Sequence, residues 1–477
     1  MIVDYYKDTI CKYMGYAPTT EQDIAMRRFL EFMHDRNERV AMILCGSAGT
    51  GKTTLAGAIV KALREMKQKI VLMAPTGRAA KVFALNAGQA AFTIHRKIYR
   101  QKTMTDMASP FTLNVNLATD TLFVIDEASM IANMGDSTFG SGCLLDDLVQ
   151  YVYSGRNCRM LLIGDTAQLP PVGEDESPAL QKMMIEGYGL DVYEATLSEV
   201  LRQSHDSGIL YNATEVRLMI DREDMAELPK VRFGGFDDIV NLRGDELIEQ
   251  LATSYSEMGL DDTIVVTRSN KRANIYNNGI RNMVLGREEL ISQGDMLMVV
   301  KNNYYWAETL KLPLPFIANG DRARVMRVRN MRELYGFHFA DLTLSLPDYD
   351  GLEMTVTTML DSLQSESPSL TREQNEQLFQ QVMADYQHLP YKADRYKALR
   401  QDPYFNALQV KYAYAVTCHK AQGGQWAHVY VDQGYMTDDM LSPDYLHWLY
   451  TAFTRATEKL YLVNWPKEGK YDNIHLR

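Results

Sequence analysis

Unbroken apolar runs of four to six residues, each closed by a turn or a polar cluster, recur at 40–45, 70–74, 122–125 and 160–163. Runs that short, without alternation, mark strands buried on both faces, as in a parallel sheet flanked by helices. Between the first two lies 53–66, rich in Ala, Leu and Lys, which reads as a helix. The first 200 residues are therefore predicted to form one α/β domain. A second set of runs begins at 263–267, is followed by a polar helix over 270–285, and resumes at 412–416, 429–431 and 460–463. Residues 286–408 break this rhythm: 341–346 and 354–357 alternate apolar and polar positions, which predicts an inserted β-rich module. Within it, Thr371 and Gln374 have the spacing of a capping box, ahead of a helix with Leu378, Val382 and Tyr386 on one face and after a polar connector at 361–369. The predicted domains are thus 1–200, then 201–285 with 409–477, and the insert 286–408.

Composition narrows the class. The 477 residues, 46% hydrophobic and 23% charged, describe an ordinary globular chain of about three domains. Residues 1–8 place acids where a secretory signal would be basic and then apolar, and no apolar run nears the ~18 residues of a spanning helix. An intracellular protein with no membrane partner is expected. The five cysteines form no C-x-x-C pair, so neither a disulfide framework nor a zinc ribbon is encoded. A formal net charge of -11 argues against an all-over basic coat, yet a local groove can still neutralise phosphates. The acidic balance and the lack of repeats favour a monomer.

The chemistry lies in three motifs at the ends of predicted strands. Gly46-Ser47-Ala48-Gly49-Thr50-Gly51-Lys52-Thr53, followed by Thr54, is a complete phosphate-binding loop between a strand and a helix. Gly46, Gly49 and Gly51 let backbone N–H groups, with those of Ala48 and Thr50, curl around phosphate oxygens. Lys52 would reach the β- and γ-phosphates, and the Thr53 hydroxyl would hold Mg²⁺. Asp126 and Glu127 end the third run, one fitting a Mg²⁺ partner and the other an acceptor that polarises the attacking water. Gln168, in Gly164-Asp165-Thr166-Ala167-Gln168, can donate to a phosphate oxygen and orient a water.

Followed by Leu201-Arg202-Gln203, by Val416-Thr417-Cys418-His419-Lys420-Ala421-Gln422-Gly423 and by Tyr450-Thr451-Ala452-Phe453-Thr454-Arg455-Ala456, this ordered series resembles the superfamily 1B DNA helicases of the RecD-like, Dda-like group, related to PIF. The resemblance covers nearly the whole chain outside the insert. It implies two RecA-like P-loop domains, ATP and Mg²⁺ in the cleft between them, single-stranded DNA across their tops, and translocation from 5′ to 3′. Arg202 and Arg455 resemble the arginines that approach the γ-phosphate from the second domain, where a guanidinium stabilises transition-state charge. Gln22 resembles the adenine-reading glutamine, although Thr19-x-x-Gln22 also has capping-box spacing. Gln422 and Gly423 fall where nucleotide contacts are expected; Gly424-Gln425-Trp426 departs from the small polar and acidic pair of relatives and weakens any ribose contact. The long PIF signature between the second and third motifs is not visible.

On the strand-binding side, Pro75, Thr76, Thr93 and His95 resemble first-domain contacts, and Thr417, His419 and Lys420 the matching second-domain set. Small hydroxyls and helix-start N–H groups hold phosphates without reading sequence. His95 is equally a candidate core histidine. The segment 101–111 falls where the family carries a strand-separating pin. Phe111 is the candidate wedge at a single-strand/duplex junction, with buried packing as the alternative. Asn302 to Trp306 and Asn319-Gly320-Asp321 resemble an SH3-type barrel in which Tyr305 and Trp306 stack on bases or fill the core. An ATP-dependent 5′ to 3′ DNA helicase is expected; the rivals are an RNA helicase and a nucleotide-gated clamp that does not unwind.

Overall fold

The computed structural model describes residues 2–101, 111–133, 140–200, 206–314 and 316–466. The apolar runs form a six-stranded parallel sheet from β1 (Val40–Gly46), β2 (Lys69–Ala74), β3 (Ala91–Thr93), β6 (Thr121–Ile125), β7 (Arg159–Gly164) and β8 (Asp191–Leu197). Their order is β3-β2-β6-β7-β1-β8. Two core clusters sit on its opposite faces: Leu44, Leu55 and Phe83 belong to one, Ile43, Phe123 and Leu148 to the other. This is the two-sided burial that unalternated runs demand. The antiparallel hairpin β4 (Tyr99–Gln101) and β5 (Phe111–Leu113) leaves the sheet at the predicted pin, whose tip lies outside the described residues.

After β9 (Ile239–Leu242) and β10 (Thr263–Thr267), the chain forms a closed barrel from β11 (Met296–Val299), β12 (Arg322–Leu334), β13 (Phe337–Leu346), β14 (Leu352–Met359) and β15 (Leu408–Tyr412). It returns as β16 (Ala415–Thr417), β17 (Trp426–Asp432) and β18 (Ala456–Val463), giving a second parallel sheet of order β16-β10-β17-β18-β9. The molecule therefore has two RecA-like domains with a β-rich insert. The apolar run at 412–416 is divided: Tyr412 ends the barrel and Ala415 opens the sheet, so the boundary read at 408/409 falls at the start of β15. The break follows from pairing, because Leu297 faces Tyr412 in the barrel whereas Val265 faces Ala415 in the sheet.

Local chemistry explains several ends. The Thr371 hydroxyl accepts from Gln374 N at 3.2 Å and the Gln374 side chain accepts from Thr371 N at 3.0 Å, closing the predicted box before the helix Arg372–Asp385. The polar helix is α-helical only over Asn270–Gly279 and continues as a π-turn, Ile280–Val284. That widened turn carries Arg281, which forks onto Asp295 at 3.1 and 3.0 Å. Arg281 and Asp295 are both buried, so the neck of the barrel is held by a bidentate ion pair.

Candidate active site and nucleic-acid face

The carboxyl ends of β1, β6 and β7 bring all three motifs to one edge of the first sheet. Gly49 and Gly51, at φ +77 and +75, adopt the left-handed conformation the loop needs before the helix Lys52–Glu65. Lys52 Nζ donates to the carbonyls of Gly46 at 2.8 Å and Gly164 at 3.1 Å, which ties the loop to the third motif. A side chain at Gly49 would meet Leu210 at 3.2 Å, so the helix Gly208–Arg222 packs directly over the loop.

Asp126 is pushed up to about 6, first by burial and then by the neighbouring Glu127 carboxylate, with Lys52 opposing. Glu127 itself is held left-handed at φ 52, with its N–H donating to Asp126 Oδ1 at 2.9 Å. Few residues other than glycine adopt that conformation, and this one aims a carboxylate into the cleft. Among the described residues, Glu127 Oε2, Gln168 Oε1 and Ser47 Oγ are buried without a hydrogen-bond partner. Orphaned acceptors gathered at one cleft fit a polar ligand brought in from outside. Among the described residues no cluster of three or more His, Cys, Asp or Glu is disposed to hold a metal. The oxygens of Thr53 and Asp126 beside a phosphate loop suit Mg²⁺, which takes few protein ligands and fills its shell with water and phosphate.

The opposite wall comes from the helix Pro443–Phe453 of the second domain. Tyr450 Oη accepts from Ala48 N at 2.8 Å and donates to Asp165 Oδ2 at 2.6 Å. Thr451 Oγ1 accepts from Leu169 N at 2.8 Å, and His447 Nδ1 donates to Ala167 O at 2.9 Å. Tyr450 and Thr451 open the 450–456 motif, yet no local pattern in the sequence marks them or His447 for this contact. Gln422 Nε2 donates to Leu169 O at 2.5 Å, so it binds the third motif rather than the phosphate loop. A side chain at Gly423 would meet Thr76 Oγ1 at 3.2 Å, and one at Gly424 would collide with the Trp426 ring. Trp426 thus accounts for the second glycine.

Two further residues expected at the nucleotide are, like Gln422, engaged elsewhere. Arg455 is 2% exposed and spends its guanidinium inside its own domain, donating to Thr451 O, Gly424 O and Thr454 Oγ1 at 3.0, 3.0 and 3.1 Å. Gln22 closes the capping box: its Oε1 accepts from Thr19 N at 3.1 Å, and its Nε2 donates to Thr50 O at 2.9 Å. It borders the phosphate loop, with both ends of the amide used by the protein. Arg202 lies outside the described residues.

Thr76 lies just past β2 and Thr93 ends the adjacent strand β3, and their hydroxyls cap helices by accepting from Ala79 N and Arg96 N, each at 3.2 Å. Thr417 has the corresponding place at the end of β16, His419 is exposed, and Lys420 Nζ donates to Asn319 of the insert. His95 is half-buried beside Tyr99 and Phe316. Phe111 requires a correction: it is 0% exposed, with its ring 4.6 Å from Tyr304 and 5.8 Å from Phe316, both of the insert. It anchors the base of the pin and presents no face to a base pair. Trp306 is likewise core and Tyr305 half-buried.

A family model described as AAA domain matches residues 18–226, and one described as UvrD-like helicase C-terminal domain matches 412–463, together over half of the chain. The ATP-dependent RecD2 DNA helicase of Deinococcus radiodurans is 34% identical over 28% of this chain and 16% of its own length. The ATP-dependent DNA helicase dda of Enterobacteria phage T4 is 26% identical over 53% of this chain and 55% of its own. The chain thus spans only part of both. A solved structure of Pif1 helicase from Bacteroides in complex with ADP-AlF3 and ssDNA is similar over 96% of this chain and 95% of that one, at 14% identity and a TM-score of 0.45. With both family models in register with the motifs on either side of one cleft, the chain belongs to the superfamily 1B helicases, in the group that holds the RecD-like, Dda-like and Pif1-related enzymes.

Proposed function

We propose that this protein is an ATP-dependent DNA helicase that moves 5′ to 3′ along a single strand and unwinds the duplex ahead of it. The observation that carries the reading is the cleft: a phosphate loop with orphaned acceptors on one wall faces a motif helix of a second RecA-like domain on the other. Lys52 and the loop N–H groups bind the triphosphate, while Thr53 and Asp126 hold Mg²⁺, which supplies charge neutralisation at the phosphates. Glu127 accepts a proton from the attacking water and Gln168 orients it. Arg202 and Arg455 supply guanidinium charge once the cleft rearranges, and Gln22 exchanges its capping bonds for adenine. Pro75, Thr76, Thr93, His95, Thr417, His419 and Lys420 grip the strand across the tops of both sheets. Alternate opening and closing of the cleft moves one grip past the other. The relatives RecD2 and Dda, both DNA helicases, support DNA as the track. An intracellular setting accords with the phage relative.

One observation favours a second reading. Arg455 faces into its own domain, as expected of a nucleotide-gated clamp that has no need of a catalytic arginine. Partial duplexes with a 5′ or a 3′ tail decide between them, assayed with ATP and Mg²⁺ beside Lys52→Ala. Unwinding of the 5′-tailed substrate alone, lost at least a hundredfold in the variant, is the expected result. Unwinding from the 3′ tail refutes the polarity, and nucleotide-dependent DNA binding without unwinding establishes the clamp.

A further inference from the structure

The phosphate loop carries a contact that a nucleotide-binding loop would be expected to keep free. Loop N–H groups bind phosphate oxygens because they converge unpaired on one point. Here the N–H of Ala48 is taken at 2.8 Å by the phenol of Tyr450, a residue about four hundred positions away on the second domain. That phenol is 1% exposed, and it is oriented by its own donation to Asp165 Oδ2, a carboxylate 3% exposed. Asp165 is fixed in turn by Ala167 N at 3.0 Å. The hydroxyl is thus a neutral acceptor held at a phosphate-loop N–H by a buried relay of Ala48, Tyr450 and Asp165.

The helix that bears it is tied to the third motif by Thr451 and His447, and Thr451 O also accepts from Arg455 Nε at 3.0 Å. The turn that puts a phenol on the loop is therefore the turn that holds Arg455 inward. A phosphate oxygen is a stronger, charged acceptor than a phenol. We infer that Tyr450 is a nucleotide-responsive latch: its phenol and a phosphate oxygen compete for the Ala48 N–H, so that nucleotide binding unseats the helix Pro443–Phe453 and frees the turn that restrains Arg455. The inference rests on the reading of the cleft as a nucleotide site and adds a positioning residue to it.

The test is nucleotide affinity of the DNA-free, full-length protein, read with a fluorescent non-hydrolysable ATP analogue and Mg²⁺. Tyr450→Phe removes the competing hydroxyl but leaves Asp165 bare beside the phosphates, so the deciding comparison is made in an Asp165→Asn background. There Tyr450→Phe is expected to bind about threefold to tenfold more tightly, the scale of one hydrogen bond. A general loosening of the cleft weakens binding instead, so unchanged or weaker binding overturns the latch. A second measurement leaves the site intact: fluorotyrosine placed at position 450 gives a fluorine resonance that moves on saturation with the analogue. A resonance that stays in place while the analogue binds also overturns it. If the unsubstituted protein binds no analogue at all, the nucleotide-site reading itself falls, and the latch with it.

Discussion

At the scale of single residues, this cleft is a set of unsatisfied demands. Asp126 is held near pKa 6 because burial and Glu127 both disfavour its charge, and Lys52 only partly offsets them. A carboxyl whose folded pKa lies above its unfolded value of about 3.9 destabilises the fold when ionised; full stability returns below the unfolded value and is lost as pH rises through about 6. Asp126→Asn is therefore expected to raise the melting temperature at pH 7.5 by ~2–4 °C while ending ATP hydrolysis, and the gain should shrink as the melt is repeated towards pH 4. A variant that melts lower at every pH would show that Asp126 serves the fold rather than burdening it. The residues of the loop and of both acidic positions were legible in the sequence because phosphate chemistry admits few side chains at such spacings. Tyr450 was not, because its importance lies in a contact between residues far apart in the chain, which no local pattern records.

Elements were legible where burial alone decides them. Strands enclosed on both faces announce themselves as apolar runs, and all eight named runs fall in strands, with 412–416 divided between two. The pin shows the opposite case. A three-residue strand opening on an aromatic reads equally as an exposed wedge or a buried anchor, and only the partner decides. Here the partners are Tyr304 and Phe316. Phe111→Ala is expected to cost about 3–5 kcal/mol in denaturant unfolding, the usual price of deleting a buried phenyl ring. A surface wedge would be lost within ~0.5 kcal/mol, with unwinding alone affected, and that result would restore Phe111 to the junction.

For the whole molecule, Arg78 is the residue at which three bodies meet. It belongs to the first domain, approaches Asp348 of the insert at 3.5 Å, donates to Gln425 O of the second domain at 2.8 Å, and lies 5.6 Å over the Trp426 ring. These partners, drawn from the insert and the second domain, make it a junction. Arg78→Ala is expected to lower the free energy of unfolding by about 1.5–3 kcal/mol, and Arg78→Lys to recover only part, since lysine has no planar fork for the indole. Full recovery in Arg78→Lys would show that charge alone holds the junction.

The barrel's closure bears on how such a chain assembles. Neighbours β10 and β16 of the second sheet are separated in sequence by the entire insert, a loop that by itself would be slow to close. Yet β11 pairs with β15, and Ala413 N donates to Met296 O at 2.8 Å, so the insert leaves the barrel beside the point where it enters. A barrel that folds first replaces a loop of over a hundred residues with one of about thirty, which removes roughly 1.4 kcal/mol of closure entropy from the sheet that follows. The insert is in this sense its own splint: order of folding, rather than added contact, lets a RecA-like domain tolerate so large an interruption between two adjacent strands.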